Sequence, residues 1–185
     1  MKYTQLDIPD VFLIQPQIFG DHRGFFMETF RDDEFQKNVP HVTQASFVQD
    51  NHSKSSQGIL RGLHYQIKKP QGKLVLVISG KVFDVAVDIR KSSPVFGRWT
   101  GINLSAENKN MLWVPPGFAH GFYVISREAE VVYKCTDYYA PEYERSIMWN
   151  ESSIAVDWPI IPGTSPILSQ KDEFGSTLGN AEVFV

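Results

Sequence analysis

Short apolar and aromatic runs alternate with turn-forming residues along most of the chain. The runs lie at residues 11–14, 25–30, 43–49, 59–66, 73–79, 81–88, 97–104, 111–114, 121–125 and 130–136. Runs rich in Val, Ile, Phe, Tyr and Thr and bounded by turn residues predict β-strands. Gly80 separates two of them and predicts a tight hairpin. So many strands at this spacing predict a mainly β fold, and we expect a jelly-roll β-barrel.

The pattern predicts little helix. Residues 32–37 form an acid-started turn before Pro40, which predicts a short flanking helix. No linker, low-complexity tract or internal repeat interrupts the strands. Because a chain of 185 residues has the usual length of one domain, we expect residues 1–185 to form a single jelly-roll domain with short helices at its flanks.

An arginine and a histidine interrupt the strand predicted at residues 59–66. Successive side chains of a strand point to opposite faces, so Arg61 and His64 should lie on opposite sides. Gly62 lies between them and indicates a bulge or a close backbone approach, and a bulge would turn Arg61 toward the face of His64. The segment would then form the wall of a pocket. The structural alternative is a buried, hydrogen-bonded histidine beside a surface arginine.

Composition and charge limit the partners and the compartment. The formal net charge of −3 argues against broad electrostatic capture of nucleic acid. A single cysteine, Cys135, excludes an intrachain disulfide and is typical of a reducing compartment. The first residues lack the charged and apolar regions of a signal peptide, and no apolar run has transmembrane length. We therefore expect a cytoplasmic protein that binds neither nucleic acid nor membrane.

A second polar motif lies at residues 113–122, with sequence WVPPGFAHGF. Its Pro-x-Gly-x-x-His spacing, which ends at His120, is similar to the second sequence box of the cupin jelly rolls. The first cupin box should carry His-x-His, but this chain has His64, Tyr65 and Gln66 there. A metal site usually needs at least three good ligands. We therefore expect no metal and no cofactor, and general acid–base chemistry instead; a metal-dependent oxygenase or isomerase is the alternative.

Six sequence segments resemble those of one known protein family and follow each other in the same order as in that family. Between about Val11 and Asp172 the chain resembles the dTDP-4-dehydrorhamnose 3,5-epimerase family, the metal-free cupins of dTDP-L-rhamnose synthesis. The segments are FGDHRGFFME at 19–28, FVQDNHS at 47–53, LRGLH at 60–64, QGKLV at 71–75, VFDVAVDIR at 82–90 and PGFAHGF at 116–122. After Asp172 the likeness loosens.

The resemblance implies an isomerase that inverts C3 and C5 of dTDP-4-dehydro-6-deoxy-D-glucose through enolates. It makes His64 the base, with Asp172 as the carboxylate that fixes its tautomer, and Tyr133 the acid. Lys73 would stabilise the enolate oxygen. Without the resemblance, Asp172 would be an ordinary aspartate of the tail, Tyr133 a core tyrosine and Lys73 an exposed lysine at the start of a strand.

The resemblance also implies residues that bind the nucleotide and the sugar. Arginine pairs well with pyrophosphate, and aromatic rings can cover thymine. The expected binding residues are Arg61 and Arg23 for the pyrophosphate, Phe19 and Phe26 for the thymine, Glu28, Gln49 and Asn51 for the base edge or deoxyribose, His120 for the sugar, and Tyr139, Glu144 and Lys171 for further contacts. Family members often form homodimers with exchanged early strands, so Arg23 and Glu28 would serve the partner's site.

The sequence also permits related functions. A 3-epimerase or a 5-epimerase of another deoxysugar pathway would share the fold and the base, and one tyrosine does not fix the number of centres inverted. A 3,4-ketoisomerase fits less well, because the acid, base and arginine set occurs together here. A non-catalytic sugar-nucleotide sensor would keep Arg23, Arg61 and Glu28, but it would not need His64, Tyr133 or Asp172.

Overall fold

Two antiparallel sheets face each other across an apolar core in the computed structural model, which describes residues 1–40 and 47–185. In chain order the elements are β1 (Lys2–Gln5), β2 (Phe12–Gln15), β3 (Ile18–Asp21), β4 (Gly24–Met27), α1 (Asp32–Asn38), β5 (Gln49–Ser56), β6 (Leu60–Gln66), β7 (Lys73–Ser79), β8 (Lys81–Asp88), β9 (Trp99–Ser105), β10 (Met111–Val114), β11 (Phe118–Val124), β12 (Glu128–Cys135), a 3₁₀ helix (Pro141–Tyr143), β13 (Glu144–Ser146) and α2 (Gln170–Glu173). The predicted strand at residues 43–49 falls mostly outside the described residues.

The first sheet has the strand order β1-β2-β10-β7-β12-β5, and the second has the order β13-β6-β11-β8-β9. From β5 to β8 the chain changes sheet at every strand, and it does so again from β9 to β13. This crossing confirms the predicted mainly β jelly roll, and α1 and α2 are its short flanking helices. The sheets do not close on themselves, so the molecule is a sandwich rather than a sealed barrel.

The hairpin predicted at Gly80 is wrong. The strands on either side of it, β7 and β8, belong to different sheets. Apolar side chains of both strands, among them Val77 and Val82, meet in the same core cluster, so the strands face each other across the core instead of pairing edge to edge. Gly80 has φ of +73°, which lets the chain turn from one sheet to the other.

A bulge occurs where β6 pairs with β11. His64 lies opposite His120 and Arg61 lies opposite Phe122, so two residues of β6 face one residue of β11. Gly62 provides the extra residue, with φ of +131°. A Cβ there would lie 2.5 Å from the Cα of Gly121, so only glycine fits. The bulge predicted at Gly62 is confirmed.

The carboxyl-terminal segment covers the outer face of the second sheet. Ile147, Ile154 and Trp158 pack there in a cluster with residues of β6 and β8. The segment returns alongside β6, where the backbone N–H of Leu60 donates to the carbonyl of Ile167 at 3.0 Å. This path brings α2 against β6. Within residues 1–40 and 47–185, no helix is long and apolar enough to cross a membrane.

Candidate active site

A polar pocket of about 320 Å³ opens between the two sheets. Strands β5, β7 and β12 of the first sheet form one wall, and β6, β11 and β13 of the second sheet form the other. Its lining residues are Gln49, Asn51, Ser53, Arg61, His64, Gln71, Lys73, His120, Phe122, Tyr133, Tyr139, Glu144 and Lys171. Most of the residues singled out from the sequence are therefore brought to one place.

The bulge in β6 brings Arg61 and His64 into the same pocket. A regular strand would turn them to opposite faces, but the extra residue at Gly62 restores a common face. The Nε of Arg61 donates to Oγ of Ser55 at 2.9 Å, which leaves the terminal nitrogens of the guanidinium available to a ligand. Arg61 and His64 are thus wall residues of one cavity, as the bulge predicts.

His64 is paired with a buried carboxylate. Its Nε2 lies 2.5 Å from Oδ1 of Asp172, whose side chain is only 3% exposed. The backbone N–H of Gly62 also donates to Oδ1, at 3.1 Å, and the hydroxyl of Ser169 donates to Oδ2 at 2.5 Å. An ionised Asp172 accepts a hydrogen bond from the protonated Nε2, so Nδ1 of His64 keeps a lone pair. This is the tautomer that a general base requires.

The electrostatics keep His64 neutral and Asp172 ionised. Burial lowers the pKa of His64, and the positive charges of Lys171 and Lys73 lower it further, against the raising effect of Asp172. For Asp172, burial raises the pKa, but hydrogen bonds from His64 and Ser169 outweigh it and lower the pKa to about 2. At neutral pH the pair is an imidazole with a basic nitrogen beside a carboxylate.

Lys73 and Tyr133 lie on the wall opposite His64. On β7 and β12, Lys73 pairs with Cys135 and Val75 pairs with Tyr133, so Lys73 and Tyr133 are diagonal neighbours. Burial lowers the pKa of Lys73. Burial raises the pKa of Tyr133, which therefore holds its proton at neutral pH. Among the residues that the structure describes, neither side chain has a hydrogen-bond partner, so both present their polar ends to the pocket.

A second histidine–aspartate pair supports the wall beside His64. Nε2 of His120 lies 2.8 Å from Oδ1 of Asp84, and the Asp84 side chain is fully buried. Sequence reasoning missed Asp84. Its signal is a charged residue inside the apolar run of β8, on the strand face that it shares with Ala86, which lies opposite His120. A buried charge in such a strand needs a partner.

Other predicted binding residues are already joined to one another at the pocket. The carboxylate of Glu144 accepts a hydrogen bond from the hydroxyl of Tyr139 at 2.9 Å and another from Nζ of Lys171 at 2.7 Å. On the opposite wall, Nε2 of Gln49 donates to Oδ1 of Asn51 at 3.0 Å, and Oε1 of Gln49 accepts from the backbone N–H of Tyr139 at 2.9 Å. These bonds hold the side chains in defined positions before a ligand arrives.

Four of the predicted binding residues lie away from this pocket. They are Phe19, Arg23, Phe26 and Glu28. The first three belong to the β3–β4 hairpin, which pairs only with itself among the described strands. Phe19 and Phe26 are 55% and 66% exposed, and Arg23 is paired with Asp21 on the same hairpin. The hairpin pairs with neither sheet of its own chain, so within one chain these residues do not complete the site.

Three residues that line the pocket were not singled out from the sequence: Ser53, Gln71 and Phe122. The signal for Ser53 is alternation along β5, because it shares a face with Gln49 and Asn51. Its Oγ is buried and unpartnered within residues 1–40 and 47–185. Across those ranges, no three His, Cys, Asp or Glu side chains come together in a way that could hold a metal.

The fold and the pocket are those of an acid–base enzyme of the cupin type, with a histidine–carboxylate pair on one wall and a tyrosine on the other. A family model described as dTDP-4-dehydrorhamnose 3,5-epimerase matches residues 5–180. The chain belongs to this family.

Similar proteins agree with the family match. A dTDP-4-dehydrorhamnose 3,5-epimerase from Pseudomonas aeruginosa is 54% identical over 184 residues, with 100% of this chain and 99% of the relative covered. A dTDP-6-deoxy-D-glucose-3,5-epimerase from Legionella pneumophila, solved in complex with dTDP-4-keto-L-rhamnose, superposes with a TM-score of 0.93 at 49% identity, over 98% of this chain and 94% of that one. A 3′-monoepimerase from Streptomyces bikiniensis is more distant, with a TM-score of 0.87, 34% identity, and coverage of 95% and 87%.

Proposed function

We propose that the protein inverts C3 and C5 of dTDP-4-dehydro-6-deoxy-D-glucose, and that His64 and Tyr133 exchange the protons. The supporting observation is that His64 and Tyr133 line one pocket from facing sheets. Inversion requires a proton to leave from one side of the sugar and another to enter from the other side. A neutral histidine and a protonated tyrosine on opposite walls meet this requirement.

Each inversion proceeds through an enolate. The C4 carbonyl acidifies the protons on C3 and C5, because it can take up the charge that remains when either proton leaves. Nδ1 of His64 takes the proton, and the ionised Asp172 stabilises the imidazolium that forms. The hydroxyl of Tyr133 returns a proton from the opposite side. The charge on C4 oxygen is met by Lys73, whose ammonium form becomes more favourable as the negative charge develops beside it.

The remaining predicted residues would bind the nucleotide. Arg61 has its terminal guanidinium nitrogens available for the pyrophosphate, and His120 is held by Asp84 for a contact to the sugar. Gln49 and Asn51 would bind the base edge or the deoxyribose, while Tyr139, Glu144 and Lys171 would contact the ligand from the second sheet's side of the pocket.

A second copy of the chain would supply the predicted binding residues that lie away from the pocket. Phe19, Phe25 and Phe26 expose more than half of their surface on the β3–β4 hairpin. An apolar groove also lies on the outer face of the first sheet, lined in part by Leu76 and Ile78. Exposed apolar surface of this kind marks an interaction face. We infer a homodimer whose hairpins cross, so that Phe19, Arg23, Phe26 and Glu28 contact the nucleotide bound by the partner.

We further infer that residues 1–185 form a single domain, because the carboxyl-terminal segment packs on the one sandwich, and that the protein acts in the cytoplasm. No metal or other cofactor takes part in the proposed proton transfers.

Solvent deuterium exchange tests the function directly. When the protein acts on dTDP-4-keto-6-deoxyglucose in D₂O, deuterium should enter at both C3 and C5, because both protons pass through groups that exchange with water. Mass spectrometry and proton NMR of the sugar would measure it. Exchange at one carbon only would indicate a single-centre epimerase, and none at all would indicate a sensor. Loss of exchange after treatment with a chelator would overturn the metal-independent mechanism.

A further inference from the structure

The two oxygens of the Asp172 carboxylate have different partners. Oδ1 accepts from Nε2 of His64 at 2.5 Å and from the backbone N–H of Gly62 at 3.1 Å. Oδ2 accepts from the hydroxyl of Ser169 at 2.5 Å, and within the described ranges that hydroxyl is its hydrogen-bond donor. Asp172 is only 2% exposed, so its oxygens depend mainly on protein donors, although Ser169, which provides the donor to Oδ2, is itself exposed.

Ser169 is itself held firmly. It immediately precedes α2 with extended backbone, and its carbonyl accepts from the backbone N–H groups of Asp172 and Glu173, each at 3.0 Å. Its Oγ also lies 3.4 Å from the backbone nitrogen of Asp172. The hydroxyl therefore has little freedom to move away from the carboxylate.

We propose that Ser169 is a positioning residue for the catalytic base, because its hydroxyl fixes the rotation of the Asp172 carboxylate and thereby holds His64 in place. Without that donor the carboxylate can rotate about its Cβ–Cγ bond, and Oδ1 loses its alignment with Nε2 of His64. Oδ2 would also lose its protein donor, which favours such rotation. The inference rests on the proposed role of His64 as the base.

The charged groups around His64 define what a titration would measure. Asp172 and Lys171 face it from α2, Lys73 from β7, and Glu144 from β13. Of these, Asp172 is the group that Ser169 contacts. Loosening this carboxylate weakens its support of the imidazolium, so the pKa of His64 should fall further.

The test compares Ser169→Ala with Ser169→Thr, which keeps the hydroxyl. Ser165→Ala is the matched control, because this nearby serine is exposed like Ser169 but does not contact the Asp172 carboxylate. We expect Ser169→Ala to lower kcat by about 10- to 100-fold with little change in KM, since a small misplacement of a catalytic group has effects of that order. Ser169→Thr should recover most of the activity. Histidine NMR titration should show a lower pKa of His64 in Ser169→Ala alone.

A double-mutant comparison distinguishes a positioning role of Ser169 from a general loss of structure. In an Asp172→Ala background, Ser169→Ala should cause no further loss of kcat, because Ser169 acts through that carboxylate. A full additional loss there, a Ser169→Thr variant as slow as Ser169→Ala, or an unchanged His64 titration would each overturn the proposal. If the titration shifts as expected while the wild-type protein exchanges no substrate protons, the positioning role stands and the proposed function fails.

Discussion

At the level of single residues, the pocket separates its titratable groups by environment. His64 is a neutral imidazole because burial and two nearby lysines oppose its protonation, while Asp172 is ionised because donors surround it. Tyr133, on the other wall, keeps its proton because burial opposes the phenolate. Groups whose pKa values are driven apart in this way are suited to opposite roles in one proton transfer.

Substitution of the proposed acid, Tyr133, and of the proposed base, His64, should have different effects. His64→Ala should abolish deuterium exchange at C3 and C5, because no group then removes the protons. Tyr133→Phe should reduce product by about 10²- to 10⁴-fold, the usual contribution of a general acid, while exchange persists through His64. Matched controls are His52→Ala and Tyr138→Phe, which alter exposed side chains. Wild-type exchange in His64→Ala would end the assignment of the base.

The charge of Lys171 should set part of the pH dependence. It lowers the pKa of His64, so its removal in Lys171→Met lets that pKa rise. His64 must be neutral to act, and the acid limb of the kcat/KM profile should therefore move to higher pH. Lys37→Met, on the surface of α1, should leave the limb where it is. If the acid limb of the Lys171→Met profile stays in place or moves to lower pH, the charge of Lys171 does not lower the pKa of His64.

At the level of elements, the bulge in β6 is the feature on which the site depends. It turns Arg61 to the face of His64 and allows the backbones of Gly62 and Gly121 to approach closely. The sequence predicts it, because a glycine between two polar residues in an apolar strand is a bulge signal. The edge strand β5 could not be predicted in the same way, since its run QDNHSKSS is polar and it pairs with β12 alone.

Adding a side chain at the bulge in β6 should lower the stability of the fold. In Gly62→Ala the new Cβ would lie 2.5 Å from Cα of Gly121 and 2.9 Å from the carbonyl oxygen of His120. Gly24 has the same φ of +131°, but a Cβ there meets nothing within 4 Å. Gly24→Ala therefore isolates the backbone strain, which is about 1–3 kcal/mol.

Urea unfolding of the two alanine variants would separate clash from strain. We expect Gly62→Ala to lower the free energy of unfolding by more than Gly24→Ala does, and to lose activity as β6 and β11 move apart. Gly179→Ala, at an exposed position with open space around it, should change stability by less than about 0.5 kcal/mol. An equal decrease in the free energy of unfolding for Gly62→Ala and Gly24→Ala would mean that β11 moves away from the added Cβ without loss of stability.

At the level of the whole molecule, the candidate active site contains residues from distant parts of the chain. The apolar runs of β7, β8 and β10 can be bounded to the residue from the sequence, because both faces of a core strand are buried. The partner of His64 cannot be found in that way. Asp172 lies 108 residues further on, in a segment whose position follows from packing on the outside of the second sheet and not from a periodic pattern. The family resemblance, not periodicity, points to it.

Mixing two inactive variants tests whether the hairpin acts in the partner's pocket. In a dimer of one His64→Ala chain and one Arg23→Ala chain, crossed hairpins would give one complete site, because the intact His64 and the intact Arg23 then meet. Equal mixing after unfolding and refolding should recover about a quarter of wild-type activity, since half of the dimers are mixed and each has one good site. If each hairpin serves its own chain, no mixed dimer has a complete site.

Sedimentation of a Phe26→Asp variant complements the mixing experiment. A charge at this exposed hairpin position should weaken the association of two chains, whereas Phe96→Asp, at an exposed position outside the hairpin, should not. An unchanged dimer in Phe26→Asp would remove the hairpin from the interface.

The long separation between His64 and Asp172 also has a consequence for how the enzyme is made. Strand β6 is synthesised well before α2, so a chain that has not yet been extended past α2 carries the proposed base without its carboxylate. A protease cut between β13 and α2 would remove Asp172 and the pocket residue Lys171 together. We expect such a fragment to exchange no substrate protons, which mass spectrometry of the sugar after incubation in D₂O would measure.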